Sequence, residues 1–215
     1  HYLEHMLFLG TKKYPEVGSF KKFLDEHSGG SNAYTAGAIT NYFFQISHEG
    51  FDIALDRFSD FFKAPLFDKT YSEREVKAVN NEHQKNKLND GWRGNFVSQQ
   101  ISEPGHPLTK FGTGNQDTLS GDNRPALLDF YKKYYSASIM KLALISNMPM
   151  QNLFGIAKKY FSDIPTREVN IPSMPKVFRK PLKNQFRLLR VKTIKDIRSL
   201  EVDFPTIRLK DYQDS

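Results

Sequence analysis

Apolar positions along this chain recur at two different intervals, and the changes of interval divide it into elements. Residues 1–9 open inside an amphipathic pattern that Gly10 stops, which predicts the end of a helix. Residues 18–27 place Phe20, Phe23 and Leu24 on one helical face, and Gly29-Gly30 ends that run. Residues 31–35 and 39–46 then read as two strands joined around Gly37, with Tyr42, Phe44 and Ile46 alternating against Asn41, Phe43 and Gln45. Helical spacing returns over 50–62 (Phe51, Leu55, Phe58, Phe62) and over 70–102, with a break near Gly91. Residues 104–123 are rich in Gly, Pro, Asn and Thr and read as a long surface loop. They are followed by a helix over 124–135, a buried strand over 141–145 and a helix over 150–162.

This order predicts an α+β fold, an antiparallel-rich sheet packed with helices. Pro172, Pro175 and Pro181 mark a linker at 171–180. It divides a domain over 1–170 from the start of a second over 181–215, where 186–191 and 199–204 read as strands. The chain opens on His1 within a helical pattern, so an upstream part, including the first strands of the domain, is expected to precede it.

Composition narrows the chemistry. Eighteen Phe and ten Tyr supply a large core. The absence of Cys excludes disulfide scaffolds, thiolate metal sites and cysteine nucleophiles. No apolar run reaches the ~18 residues of a membrane span. The net charge of +7 is spread over isolated basic pairs such as Lys12-Lys13 and Lys132-Lys133, which argues against a nucleic-acid surface.

His1 and His5 are four residues apart and leave one helical face, a spacing that can hold a single zinc ion. Glu4 borders the same face, where it can reach a water without ligating the metal. The order His-x-x-Glu-His is the inverse of the His-Glu-x-x-His zinc motif. A pair of surface histidines is the other reading. A catalytic zinc needs a third protein ligand. On the helix from Tyr71, the residues Tyr71, Glu75, Ala78, Val79 and Glu82 share a stripe about 100° wide, so Glu75 and Glu82 are both candidates. Salt bridges to Lys or Arg are the alternative use of those two carboxylates.

Several segments together resemble a known family. They are His1–Met6, Lys12-Lys13-Tyr14-Pro15, Ser31–Thr35, Glu73–Val76 with Ala78–Glu82, Phe111–Asn115, Lys133–Ala137 and Ile194–Arg198. In these the chain is similar to the inverted-zinc-motif metallopeptidases of the pitrilysin and insulin-degrading-enzyme family (peptidase family M16), nearest the bacterial pitrilysin branch. The resemblance implies the fold of that family, which mitochondrial-processing-peptidase-like domains share, and one zinc ion held by His1, His5 and Glu82. It implies Glu4 as general base and Glu75 as a helper carboxylate near the site, the distinction that helix geometry alone leaves open.

On this resemblance the expected activity is zinc-dependent endopeptidase cleavage of oligopeptides and small proteins. Ser31, Asn32, Ala33 and Tyr34 form a strand edge to which substrate backbone adds. Phe43 and Tyr42 read as core, and Trp92 as packing. His27, His48, His83 and His106 are given no role, and Glu73 faces solvent. A catalytically inactive partner or scaffold subunit of the same family is the second reading. The remaining half of a longer polypeptide is an expected partner, without which this piece should bind zinc poorly and cleave little. Localisation is periplasmic if the protein is pitrilysin-like, with the cytoplasm as the alternative.

Overall fold

A computed structural model describes residues 1–173 and 188–204. The described chain forms two compact units, one of residues 1–83 with 112–172, the other of residues 84–111 with the described residues from 173 onward. In chain order the elements are α1 (Tyr2–Leu7), α2 (Ser19–Glu26), β1 (Gly30–Ala36), β2 (Ile39–Gln45), a 3-10 turn (His48–Gly50), α3 (Phe51–Asp60), α4 (Lys69–Lys87), α5 (Asp90–Gln100), a second 3-10 turn (Pro107–Thr109), α6 (Arg124–Tyr134) and α7 (Met150–Phe161). No helix among them is long and apolar enough to cross a membrane.

The first unit is built around aromatic rings. Phe20 of α2 meets Phe61 edge-on at 5.2 Å between centroids, and Phe58 of α3 packs on Phe44 of β2 at 5.0 Å. Leu7, Leu24, Leu55 and Val79 are fully buried around them. The predicted faces therefore hold: Phe20 and Leu24 on α2, and Leu55 and Phe58 on α3, point inward. Gly29 is required where α2 ends, because a Cβ there would land on the Gln45 carbonyl oxygen of β2.

β1 and β2 form an antiparallel hairpin that pairs Ser31 with Phe44, Ala33 with Tyr42 and Thr35 with Thr40. Gly37 turns it at φ +58. Tyr42, Phe44 and Ile46 pack on the core, as their alternation predicts. Phe43, expected in the core, lies on the opposite face and is exposed, since alternation forces it there. The Tyr42 hydroxyl meets that of Tyr135, just past α6, at 2.7 Å, and burial pushes both phenols up, Tyr135 to about 12.

α1 packs beside β1, and α4 is pinned to α1 where Tyr2 Oη meets Ser72 Oγ at 2.6 Å. Phe67, buried and held at φ +46, sets the entry to α4, and Arg124 Nε donates to its carbonyl at 2.9 Å. In the second unit Asn89 caps α5 by accepting from the Gly91 and Trp92 amides. This cap explains why the long helical pattern breaks just before Gly91. Trp92, expected to pack, is half exposed on that helix.

Among the described residues three expected strands do not form. Residues 141–145 are in no strand, and Ile145 is 92% exposed. Residues 188–191 and 199–204 are likewise irregular and mostly exposed, while 186–187 fall outside the described residues, as does 174–180 of the linker region. An apolar strand pattern states what a segment would bury, but its hydrogen bonds come from another segment. Among the described residues the hairpin is the sole sheet, so the α+β class stands with a smaller sheet than expected.

Asp56 of α3 accepts from Lys13 Nζ at 2.6 Å and from Tyr14 Oη at 2.7 Å, clamping the segment after α1. Partial burial raises the Asp56 carboxyl, but these two donors outweigh it and hold it below the usual carboxylate value. A carboxyl lowered on folding stabilises the protein above its unfolded pKa, and that gain is lost as pH falls through the folded value. Asp56→Asn should therefore lower the melting temperature at pH 7, with the gap to the parent protein closing between about pH 5 and pH 3. Thermal melts across that range check it; a gap independent of pH would contradict it.

Candidate metal centre

α1 spans six residues, and its first backbone bond runs from His5 N to the His1 carbonyl at 3.1 Å. That turn brings the two imidazoles to one face, with ring centroids 4.7 Å apart and planes at 74°. The other face buries Leu3, Met6 and Leu7, so apolar packing fixes the direction in which the histidines point.

α4 supplies the opposing wall. Val79 is its fully buried anchor, and Glu75 and Glu82 flank it on the inward face. Ala78, expected on this stripe, is exposed, as is Glu73, which was expected to be. Glu82 Oε2 lies 3.4 Å from His1 Nε2 and 3.4 Å from His5 Nε2. Glu75 instead takes the far side of His5, its Oε1 accepting from Nδ1 at 2.7 Å. Neither carboxylate is bridged to Lys or Arg in these contacts. The structure thus separates two groups that helix geometry had left equivalent.

The remaining ring nitrogen is also tied. His1 Nδ1 donates to the Thr113 carbonyl at 2.7 Å. A carbonyl and a carboxylate can only accept, so each Nδ1 carries a proton there, and Nε2 of each ring is the nitrogen that faces Glu82 and is free to ligate a metal when the imidazole is neutral. Burial pushes the His5 imidazole down, but the Glu75 hydrogen bond and the surrounding Glu75, Glu82 and Glu4 charges outweigh it and raise its pKa.

These side chains could hold a divalent cation. One ligand atom from each of His1, His5 and Glu82 falls within a 4.8 Å set. Four-coordinate zinc with bonds of about 2.0–2.1 Å spaces its ligand atoms roughly 3.3–3.4 Å apart. Both His–Glu separations have that value. In the neutral imidazoles both Nε2 lone pairs and the Glu82 carboxylate suit a shared cation, and the tethered Nδ1 atoms are the arrangement metal-binding histidines use. Among the described residues no other three His, Asp or Glu groups converge in this way.

Glu4 is 7% exposed, and its Oε2 accepts from Thr35 Oγ1 at 2.5 Å. Ser31, Asn32, Ala33 and Tyr34 lie along β1 just before Thr35, with Asn32 and Tyr34 exposed and Ser31 and Ala33 half-buried. The Ala33 amide donates to Asn32 Oδ1 at 2.9 Å.

Sequence reasoning missed Thr113 and Thr35. Thr113 acts through its backbone, which no side-chain pattern reports. The signal for Thr35 was its place at the end of the Ser31–Thr35 segment. Three other histidines lie outside the cluster: His27 Nδ1 bonds the Phe23 carbonyl, His48 opens a 3-10 turn, and His106 is buried and accepts from the Leu108 amide.

The chain is similar to known proteins over most of its length. A family model described as insulinase (peptidase family M16) matches residues 1–105, and one described as the peptidase M16 inactive domain matches residues 123–215. The chain is 43% identical to the insulin-degrading enzyme of Homo sapiens over 209 residues, 93% of this chain and 20% of that protein. It is 36% identical to the A-factor-processing enzyme of Saccharomyces cerevisiae over 222 residues, covering 22% of that protein. Its structure resembles the crystal structure of pitrilysin with a TM-score of 0.79 and 39% identity, over 83% of this chain and 20% of that one. The chain thus spans about a fifth of the length of the curated relatives it matches.

Removing the tether on His5 tests the site. Glu75→Ala should weaken divalent-cation affinity about 10–100-fold, read by competition with a chromogenic chelator. Affinity equal to that of the parent protein would show that Glu75 does not orient a ligand.

Proposed function

The chain belongs to the insulinase family, peptidase family M16, and from that premise we propose that it carries the metal-binding and catalytic residues of a zinc metalloendopeptidase. The observation that carries this reading is the convergence of His1 Nε2, His5 Nε2 and Glu82 Oε2 at 3.4 Å spacings, with both Nδ1 atoms already engaged. His1, His5 and Glu82 would hold the zinc, leaving its fourth position open. When bound, zinc supplies Lewis acidity, activating a water near neutral pH and polarising a peptide carbonyl.

The chain's own residues do the rest. Glu4 takes the proton of the attacking water on its carboxylate and returns it to the departing amine nitrogen, so one group serves as base and then acid. Glu75 fixes the His5 ring through Nδ1, and the Thr113 carbonyl does the same for His1. Ser31 to Tyr34 present a strand edge to which an extended substrate adds by main-chain bonds, which suits peptides of varied sequence. Residues 1–170 form the catalytic part in this reading, and 181–215 begin a further domain of the same polypeptide.

Glu4→Gln in the full-length polypeptide keeps the shape and removes the proton acceptor. Cleavage of a quenched fluorescent oligopeptide should fall about 10²–10⁴-fold while one zinc per chain is retained. Undiminished turnover would remove Glu4 from its role. An inactive protein before mutation would favour a partner subunit over a peptidase.

A further inference from the structure

Resting on the peptidase reading and deepening it, we propose that Thr35 is the positioning residue of Glu4: its hydroxyl fixes one carboxylate oxygen so that the other is presented to water.

Glu4 sits on a helix of only six residues, and its side chain has three rotatable bonds. A general base must keep its acceptor atom within hydrogen-bond reach of the proton it removes. The backbone of α1 cannot enforce this by itself. Thr35 Oγ1 lies 2.5 Å from Glu4 Oε2. A hydroxyl has a single proton to give, and the carboxylate is an acceptor, so the proton goes to Glu4.

The hydroxyl is itself oriented. Thr40, the cross-strand partner of Thr35, places its Oγ1 at 3.3 Å and can donate to the lone pair of Thr35. Thr40 can therefore donate to Thr35, and Thr35 donates to Glu4. Threonine's branched Cβ stiffens χ1, so the hairpin backbone sets where the hydroxyl points. Thr35 also directly follows Ser31–Tyr34 on β1. One rigid run of backbone then carries both the edge proposed for substrate and the hydroxyl that holds the base. The position of the peptide and the position of the base are thereby linked.

The test uses the full-length, zinc-loaded protein with Thr35→Val, which is isosteric and lacks the hydroxyl, and Thr35→Ser, which keeps it. Readouts are kcat and KM on a quenched fluorescent oligopeptide, zinc per chain, melting temperature, and the Glu4 rotamer in a crystal structure. Thr35→Val should lower kcat about tenfold or more, with KM and zinc content within about twofold of the parent. Its Glu4 should occupy more than one rotamer, and Thr35→Ser should recover most of the rate. Three results overturn the proposal: Thr35→Val turning over like the parent, equal impairment of both variants, or a loss that follows zinc content or melting temperature. A parent protein that holds zinc and cleaves peptide while Thr35→Val is unaffected refutes this inference alone. A parent that binds no zinc or cleaves nothing refutes the peptidase reading and this inference with it.

Discussion

Two imidazole nitrogens and one carboxylate oxygen, from side chains more than seventy residues apart in sequence, are held facing one another with nothing apolar between them. Polar groups taken partly out of water cost free energy unless each finds a partner. Here the cost is met on the outer side of each ring, where Nδ1 of His1 bonds Thr113 and Nδ1 of His5 bonds Glu75. On the inner side both Nε2 atoms converge on Glu82. That asymmetry supports the proposed reading of the cluster as a cation site.

Apolar packing creates the arrangement. Leu3, Met6 and Leu7 hold α1 from behind, and Val79 anchors α4 between its two carboxylates. The Tyr2–Ser72 hydrogen bond joins the helices beside the site. Gly114 sits at φ +86, which side-chain-bearing residues rarely adopt, and a Cβ there would press on Leu119 Cδ1 at 2.9 Å. The loop can therefore close down on α4 and carry the Thr113 carbonyl to His1. Three segments, a helix, a loop and the β-hairpin, each contribute one contact that orients a reactive side chain. This is the support a constellation needs to stay within tenths of an ångström of working geometry.

Much of this was legible in the sequence because it is local. The helical faces of Phe20 and Leu24, the hairpin at Gly37, and the shared face of His1 and His5 follow from periodicities of 3.6 and 2. The pairing of His1 and His5 with Glu82 is not local, and helix geometry could only narrow the third group to Glu75 or Glu82. Family resemblance made the choice, and the coordinates give its physical form, one carboxylate on each side of His5. Residues 141–145 show the opposite limit: Leu142 and Ile145 have the pattern of a buried strand, yet pairing depends on a second segment that the pattern does not name. Thr113 was invisible because a backbone carbonyl has no residue signature, and Thr35 because a threonine in a strand is ordinarily only a good strand former.

The most direct measurement is a crystal structure of the full-length protein with zinc, with data collected on both sides of the zinc absorption edge. The account predicts one anomalous peak, with His1 Nε2, His5 Nε2 and a Glu82 oxygen at about 2.0–2.2 Å. A peak coordinated by other side chains, or no peak between these three residues at saturating zinc, would contradict it.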